Sequence, residues 1–258
     1  MEKKWRLIID ERQGGCYNMA ADEAAINYYR QEQIPVLRIY GWSQPFVTLG
    51  YNQSSDAVFQ DSDFPFTRRI TGGAAILHDQ DVTYSLVCGV NDLSLAGSVK
   101  DSYKKISSFL FDFYGELGLT AGFACDSHDT GLGECKHICF LSHEHYDILI
   151  CGKKIGGNAQ KRMKNIIFQH GSIPWNIDFK LADKTLNDCA LMKEKVVALN
   201  FLVKDVFPFD VLQNKLAESF QRTFAVGFKI QPFTLEEKQS IEETVKNKYS
   251  THAWKYKA

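Results

Sequence analysis

The stretch from Cys139 to Gly171 reads C-F-L-S-H-E-H-Y-D-I-L-I-C-G-K-K-I-G-G-N-A-Q-K-R-M-K-N-I-I-F-Q-H-G. Tyr146 to Cys151 is an apolar strand pattern, and Gly152-Lys153 is a turn that leads into Lys154. Ile166 to Ile173 reads as another strand, ended by Pro174. Lys153 and Lys154 point to opposite faces of a regular strand, so one of them can face a pocket. A cysteine ahead of one strand and a lysine after it are the parts of a nucleophilic site. If the two meet in space, the thiolate could attack an acyl carbonyl while the ammonium lowers the thiol pKa; if they do not, the lysine could serve an anionic intermediate instead.

Outward from this stretch, strand patterns recur at Trp5–Asp10, Val36–Trp42, Phe46–Tyr51, Asp63–Ile70, Ala74–Leu77, Val82–Val90 and Thr120–Ala124. Helical spacing marks Asn18–Gln31, Val211–Phe224 and Leu235–Tyr249. From Ser98 to Leu117, Tyr103, Ile106, Leu110, Phe113 and Leu117 form one apolar stripe, and Gly118 is the stop. The polar run Asp126–His137 is a long loop. Strands and helices do not alternate strictly, which predicts an α+β fold: a mixed, largely antiparallel β-sheet flanked by helices. Residues 1–190 are expected to form the catalytic core, and 191–258 a helical C-terminal extension packed on the same domain.

The chain has 258 residues, 45% of them hydrophobic and 24% charged, enough for a sizeable core. With 30 basic and 31 acidic residues, the net charge of −1 argues against a general nucleic-acid binder. No apolar run approaches the ~20 residues that cross a bilayer, and the N-terminus lacks an apolar signal core, so no membrane partner and a cytoplasmic location are expected. The seven cysteines are odd in number and suit reduced thiols better than a disulfide scaffold. Cys88 and Cys151 lie in apolar runs and are expected to be packing residues.

Arg68 to Asp79 places two arginines before Gly72-Gly73. Glycines let a backbone approach a ligand closely, and arginine offers forked donors to carboxylate or phosphate. The plain alternative is a β-turn with a surface arginine pair. No Gly-Lys-Ser/Thr follows, so this is not a P-loop. Lys154 could reach an acyl carbonyl or phosphate, or lie in a basic hairpin turn. Cys139 could be a nucleophile or a buried structural thiol. His170 could face a pocket or be a hydrogen-bonded structural residue. Cys125, His128, Cys135, His137, Cys139, His143 and His145 are zinc-ligand types, but they form no C-x-x-C pair, and no metal site is expected.

Together these segments resemble the biotin/lipoate protein ligase superfamily. The R-R-x-T/S-G-G-x-x-x-x-H-D element is matched by Arg68 to Asp79, G-K-K-I-x-G-x-A-Q by Gly152 to Gln160, and Q-H-G-S/T-I by Gln169 to Ile173. Tyr17 to Glu23 resembles the family's N-M-A-x-D-E helix. The run His78 to Ser85 is most similar to that of the LipM-type octanoyltransferases, and Cys139-Phe140 resembles their nucleophile. The resemblance implies an enzyme that takes octanoyl from acyl carrier protein onto Cys139. It then passes the group to a lipoyl-domain lysine, in glycine cleavage H protein or 2-oxoacid dehydrogenase E2 domains. Lys154 would lower the thiol pKa, and no cofactor would be needed. Substrate-binding residues implied with them are Arg68, Arg69, Gly72, Gly73, Ala75, His78, Asn158 and His170. Ala74 stands where those transferases often carry arginine. The alternative is therefore an ATP-dependent lipoate–protein ligase, using ATP and Mg, with Lys154 at the adenylate and Cys139 incidental. A binding module without catalysis is a third reading, and the retained Lys154 argues against it.

Overall fold

Strand β1 (Lys4–Gln13) turns Trp5 and Leu7 to one side of a sheet and Arg6 and Ile8 to the other, the two-residue period of a strand buried on both faces. The computed structural model describes residues 4–55, 58–59, 64–95, 97–126, 146–187 and 192–257. The main sheet has the order β10 (Gly157–Met163), β11 (Ile166–Asn176), β6 (Gln80–Gly89), β2 (Val36–Trp42), β1, β12 (Gly227–Ile230). Pairing is antiparallel from β10 through β2 and parallel from β2 through β12, so the mixed, largely antiparallel α+β arrangement holds. The parallel β1–β2 step needs a crossover, and α1 (Gly15–Glu32) supplies it.

One face of the sheet buries α2 (Val99–Ser107), α3 (Phe109–Glu116) and α6 (Phe209–Phe224) through Ile106, Phe109, Phe113, Leu216 and Phe220. The other face buries Met19, Ala25 and Tyr29 of α1 and Ile241 of α7 (Leu235–Thr244). Each such large apolar side chain contributes ~1.5–3 kcal/mol by leaving water. A second sheet, ordered β4 (Phe66–Arg68), β3 (Phe46–Leu49), β5 (Ile76–His78), packs Val47 and Leu49 against Ala182 of α4 (Phe179–Thr185) and Met192 of α5 (Met192–Lys195). A third is β7 (Gly122–Phe123), β8 (Ile148–Ile150), β9 (Lys153–Lys154). The chain closes with a π-helical turn (Val245–Tyr249) and α8 (His252–Lys255).

Several local expectations are corrected. The single helix over 98–117 is two helices that meet at Ser108, whose hydroxyl donates to the Lys105 carbonyl at 2.8 Å. A serine bonding back into the preceding turn competes with the helical ladder and bends it. The start is as the sequence suggests, with a Ser98–Asp101 capping box. The hairpin turn is Cys151-Gly152 rather than Gly152-Lys153: both have positive φ (51° and 75°), as a two-residue type I′ turn requires. Cys151 is therefore an exposed turn residue and not a packing residue, while Cys88 is fully buried as expected. Strand β11 runs through Pro174; beyond Ser172 it has no β10 partner, so the missing N–H costs no bond to that strand. Residues 191–258 are not helical alone, since β12 adds a parallel strand to the main sheet.

Candidate active site

The cleft lies where the second sheet meets β10 and β11. Thr48, Arg69, Ile76 and His78 line one wall; Gly157, Ala159, His170, Gly171 and Ser172 line the other. Met19, Tyr40, Trp42 and Thr83 complete it, around about 280 Å³ of empty space that is partly open to solvent. Apolar and aromatic walls with a few converging polar groups suit a small ligand that has an apolar body and a polar end.

Arg69 is buried and shapes the glycine turn. Its guanidinium donates to the carbonyls of Thr48 (3.0 Å), Gly72 (2.8 Å) and Ala74 (2.8 Å) and to Thr71 Oγ1 (3.1 Å). With those carbonyls drawn inward, Gly72 and Gly73 are exposed, and among the described residues their N–H groups have no protein acceptor. Gly73 has φ +90°. The turn rests on Gly50, where an added Cβ would fall 1.8 Å from the Gly73 carbonyl oxygen.

His170 reaches this turn from β11, its Nε2 2.8 Å from Thr71 Oγ1. Its Nδ1 lies 3.5 Å from Asp22 Oδ2. Behind it, buried Arg38 donates to Asp22 (2.9 Å), Asp10 (2.8 Å) and Asn18 Oδ1 (2.8 Å), and Tyr40 donates its hydroxyl to Asp22 at 3.1 Å. On the opposite wall, His78 Nδ1 is 2.8 Å from Asp81 Oδ2 and Nε2 is 2.9 Å from Thr48 Oγ1. Trp42 stacks on its ring at 3.7 Å, and Ser172 also donates to Asp81. Burial pushes both histidines below the ordinary 6.5, with their carboxylates opposing and Arg69 reinforcing the shift. Neutral rings fit: Nδ1–H of His78 donates to Asp81 and Nε2 accepts from Thr48.

Arg69, His78 and His170 thus meet in one cleft, with Gly72 and Gly73 on its turn. Arg68 does not line it. Its buried guanidinium donates to the carbonyls of Gly50, Tyr51 and Gln53 and to those of Trp254, Lys255 and Lys257, so it ties the C-terminal tail to the loop after β3. Ala75 is buried in the core of the second sheet. Asn158 accepts a 2.8 Å bond from the Tyr84 hydroxyl beside Gly171. Lys154 is 1% exposed, and its ammonium donates to Asp147 Oδ2 at 2.6 Å. Lys154 does not line the cleft: β9 ends at Lys154, and after Ile155 and Gly156, which backs onto the Ser172 carbonyl, β10 begins at cleft-lining Gly157. Cys139 lies outside the described residues, as do the cysteines and histidines of the zinc alternative except Cys125.

The pattern of the lipoyl protein ligase A/B catalytic domain matches residues 15–221. This chain belongs to the lipoyl protein ligase A/B family. The resemblance drawn from the motifs holds along the whole chain. It is 32% identical to octanoyltransferase LipM of Bacillus cereus, over 99% of both chains, and 32% identical to octanoyltransferase LipM of Staphylococcus epidermidis, over 100% of both. In fold it is similar to a lipoate-protein ligase A solved with ATP (TM-score 0.80, 24% identity, 98% of both chains). It is also similar to the bi-partite lipoate protein ligase of Thermoplasma acidophilum, solved in a study with its E2 lipoyl domain (TM-score 0.76, 24% identity, 98% and 96%). The matched family pattern stops within α6, so β12 and the tail held by Arg68 lie beyond it.

Asp22, Arg38, Thr71, Asp81 and Ser172 are among the site residues that sequence reading did not single out, as are Thr48, Tyr40 and Trp42. A signal existed for Asp22, Thr71, Asp81 and Ser172, which sit inside the matched motifs: Asp22 in the α1 segment, Thr71 and Asp81 near Gly72 and His78, and Ser172 after His170. Arg38 had none, because a charged residue in an apolar run does not announce its partners.

Proposed function

We propose that this enzyme is an octanoyltransferase of protein lipoylation that works through a cysteine thioester. The observation that carries the reading is full-length similarity at 32% identity to octanoyltransferases. The structures of ATP-using ligases share the fold alone. Two features support it: a cleft lined by Met19, Tyr40, Trp42 and Ile76 beside the polar motif residues, and a buried ammonium, Lys154, three residues before cleft-lining Gly157.

In the first step, the Cys139 thiolate attacks the thioester carbonyl of octanoyl-acyl carrier protein, and the carrier thiolate leaves and takes a proton. In the second, the neutral ε-amine of a lipoyl-domain lysine attacks the enzyme thioester. Cys139 thiolate leaves, the amine gives up a proton, and the amide forms. Lys154 stabilises the thiolate by charge. The exposed N–H groups of Gly72 and Gly73, which have no protein acceptor among the described residues, are donors for a negative oxygen on the bound acyl group. Neither step consumes ATP or uses a metal. The acceptors proposed are glycine cleavage H protein and 2-oxoacid dehydrogenase E2 domains, and the compartment is the cytoplasm. Among the described residues no helix is long and apolar enough to cross a membrane.

Incubation with octanoyl-acyl carrier protein is expected to add one octanoyl mass on Cys139, released by hydroxylamine and absent in Cys139→Ala. If no adduct forms while free lipoate with ATP modifies the acceptor, the ligase reading replaces this one.

A further inference from the structure

Beside the cleft, three separate parts of the chain bring two ammonium groups onto one aromatic ring. Tyr51 follows Gly50 at the end of β3, and its N–H donates to the Thr71 carbonyl at 2.8 Å, which fixes it beside the glycine turn. Lys161 comes from the facing wall: Gly157 and Ala159 line the cleft, and the two-residue period of β10 puts Lys161 on the same face, one step outward. Its ammonium lies 5.1 Å from the centroid of the Tyr51 ring. Lys257 comes from the tail. Its ammonium bonds the Tyr51 hydroxyl and lies 3.9 Å from the ring centroid. The tail is held there by Arg68, through the carbonyls of Trp254 (3.3 Å), Lys255 (2.9 Å) and Lys257 (3.1 Å).

Among the described residues, neither Lys161 nor Lys257 forms an ion pair with a carboxylate, whereas Lys154 and Lys248 do. The Lys257 hydrogen bond, then the charges of Lys257, Lys161 and Lys248, draw the exposed Tyr51 phenol below its ordinary 10.0. In a chain of net charge −1, two ammonium groups brought together on one aromatic ring, with a phenol donor between them, form a local anion site. The acyl donor of the proposed reaction has an anion in a suitable place. A carrier-bound thioester hangs on a phosphopantetheine arm, whose phosphoester lies many bonds from the reacting sulfur. When the acyl chain fills the cleft, that phosphoester is left outside it.

We infer that Tyr51, Lys161 and Lys257 form a binding site for the phosphoester of the acyl donor's phosphopantetheine arm, and that Arg68 holds the C-terminal tail in place to complete it. The inference rests on the octanoyl-transfer reading.

Calorimetric titration of the full-length protein with 4′-phosphopantetheine and with pantetheine tests it without turnover. The wild type is expected to bind the phosphorylated form on the order of ten-fold more tightly, the effect of about 1.4 kcal/mol. Lys161→Gln combined with Lys257→Gln should remove that preference, and the double arginine variant should retain it. Equal affinity of the wild type for both compounds, or a preference that survives in the double glutamine variant, overturns the inference. In transfer assays the glutamine pair should raise KM for octanoyl-acyl carrier protein several-fold with kcat little changed. A raised KM without a phosphate preference in the titration would assign the lysines to acidic side chains on the carrier, which also overturns it. Failure of the wild type to transfer octanoyl from any donor would sink the transferase reading, while the titration would still decide the lysine pair.

Discussion

Replacing Arg68 by methionine separates a structural arginine from a substrate ligand. The guanidinium is buried and donates to six backbone carbonyls at 2.6–3.3 Å. Methionine keeps much of the volume, so the cavity term is small and the loss comes from the hydrogen bonds. The carbonyls of Trp254, Lys255 and Lys257 can turn to water once the tail lets go. Those of Gly50, Tyr51 and Gln53 belong to the loop that supports the glycine turn and are less free to move. An acceptor left unsatisfied costs ~1–3 kcal/mol. Three of them, less the desolvation penalty that the buried charge no longer incurs, give a net loss of ~3–4 kcal/mol. Urea unfolding is expected to show a midpoint lower by ~1–2 M at unchanged m, for an m of ~2–3 kcal/mol/M. Trypsin should cut after Lys255 much faster than in the wild type. If the midpoint moves by less than ~0.3 M and the tail stays protected while substrate binding is lost, Arg68 is a substrate ligand and the argument is wrong.

Gly50→Ala should act on the site through the backbone. Its Cβ would meet the Gly73 carbonyl oxygen at 1.8 Å, so the turn must shift. A loss of ~1–3 kcal/mol in thermal or urea unfolding is expected, together with a larger loss of transfer activity than of stability. Full activity would show that the turn position is not critical. The two buried histidines set an acid limit. Their folded pKa values lie below 6.5, so below that pH the unfolded chain binds more protons and stability falls as pH drops. Each contributes a slope of up to ~1.4 kcal/mol per pH unit. His170→Gln should therefore flatten the decline between the ordinary histidine value and the lower folded one; an unchanged slope would mean that His170 is protonated in the native state.

The apolar periods of Trp5–Asp10, Val36–Trp42 and Val82–Val90 were enough to read strands, and the spacing in 211–224 was enough to read a helix. Local periodicity records which face is buried, and that information is present in each segment alone. The motifs also marked the cleft region, since Arg69, His78 and His170 line it together. The division of labour between the two adjacent arginines was not legible. Arg68 and Arg69 are the same residue type on consecutive positions, and only the arrival of the C-terminal tail on one side and the cleft on the other separates them. The parallel β1–β12 pairing was equally hidden, because strand partners more than 200 residues apart leave no local signature. The sequence by itself determined the elements and the chemistry of the motifs, through short-range sterics, burial pattern and residue type. The tertiary structure decided which charges meet: Asp147 on Lys154, Asp22 behind His170, and Lys161 with Lys257 across Tyr51. The interaction of charges depends on distance and burial in three dimensions, and the order of residues along the chain specifies neither.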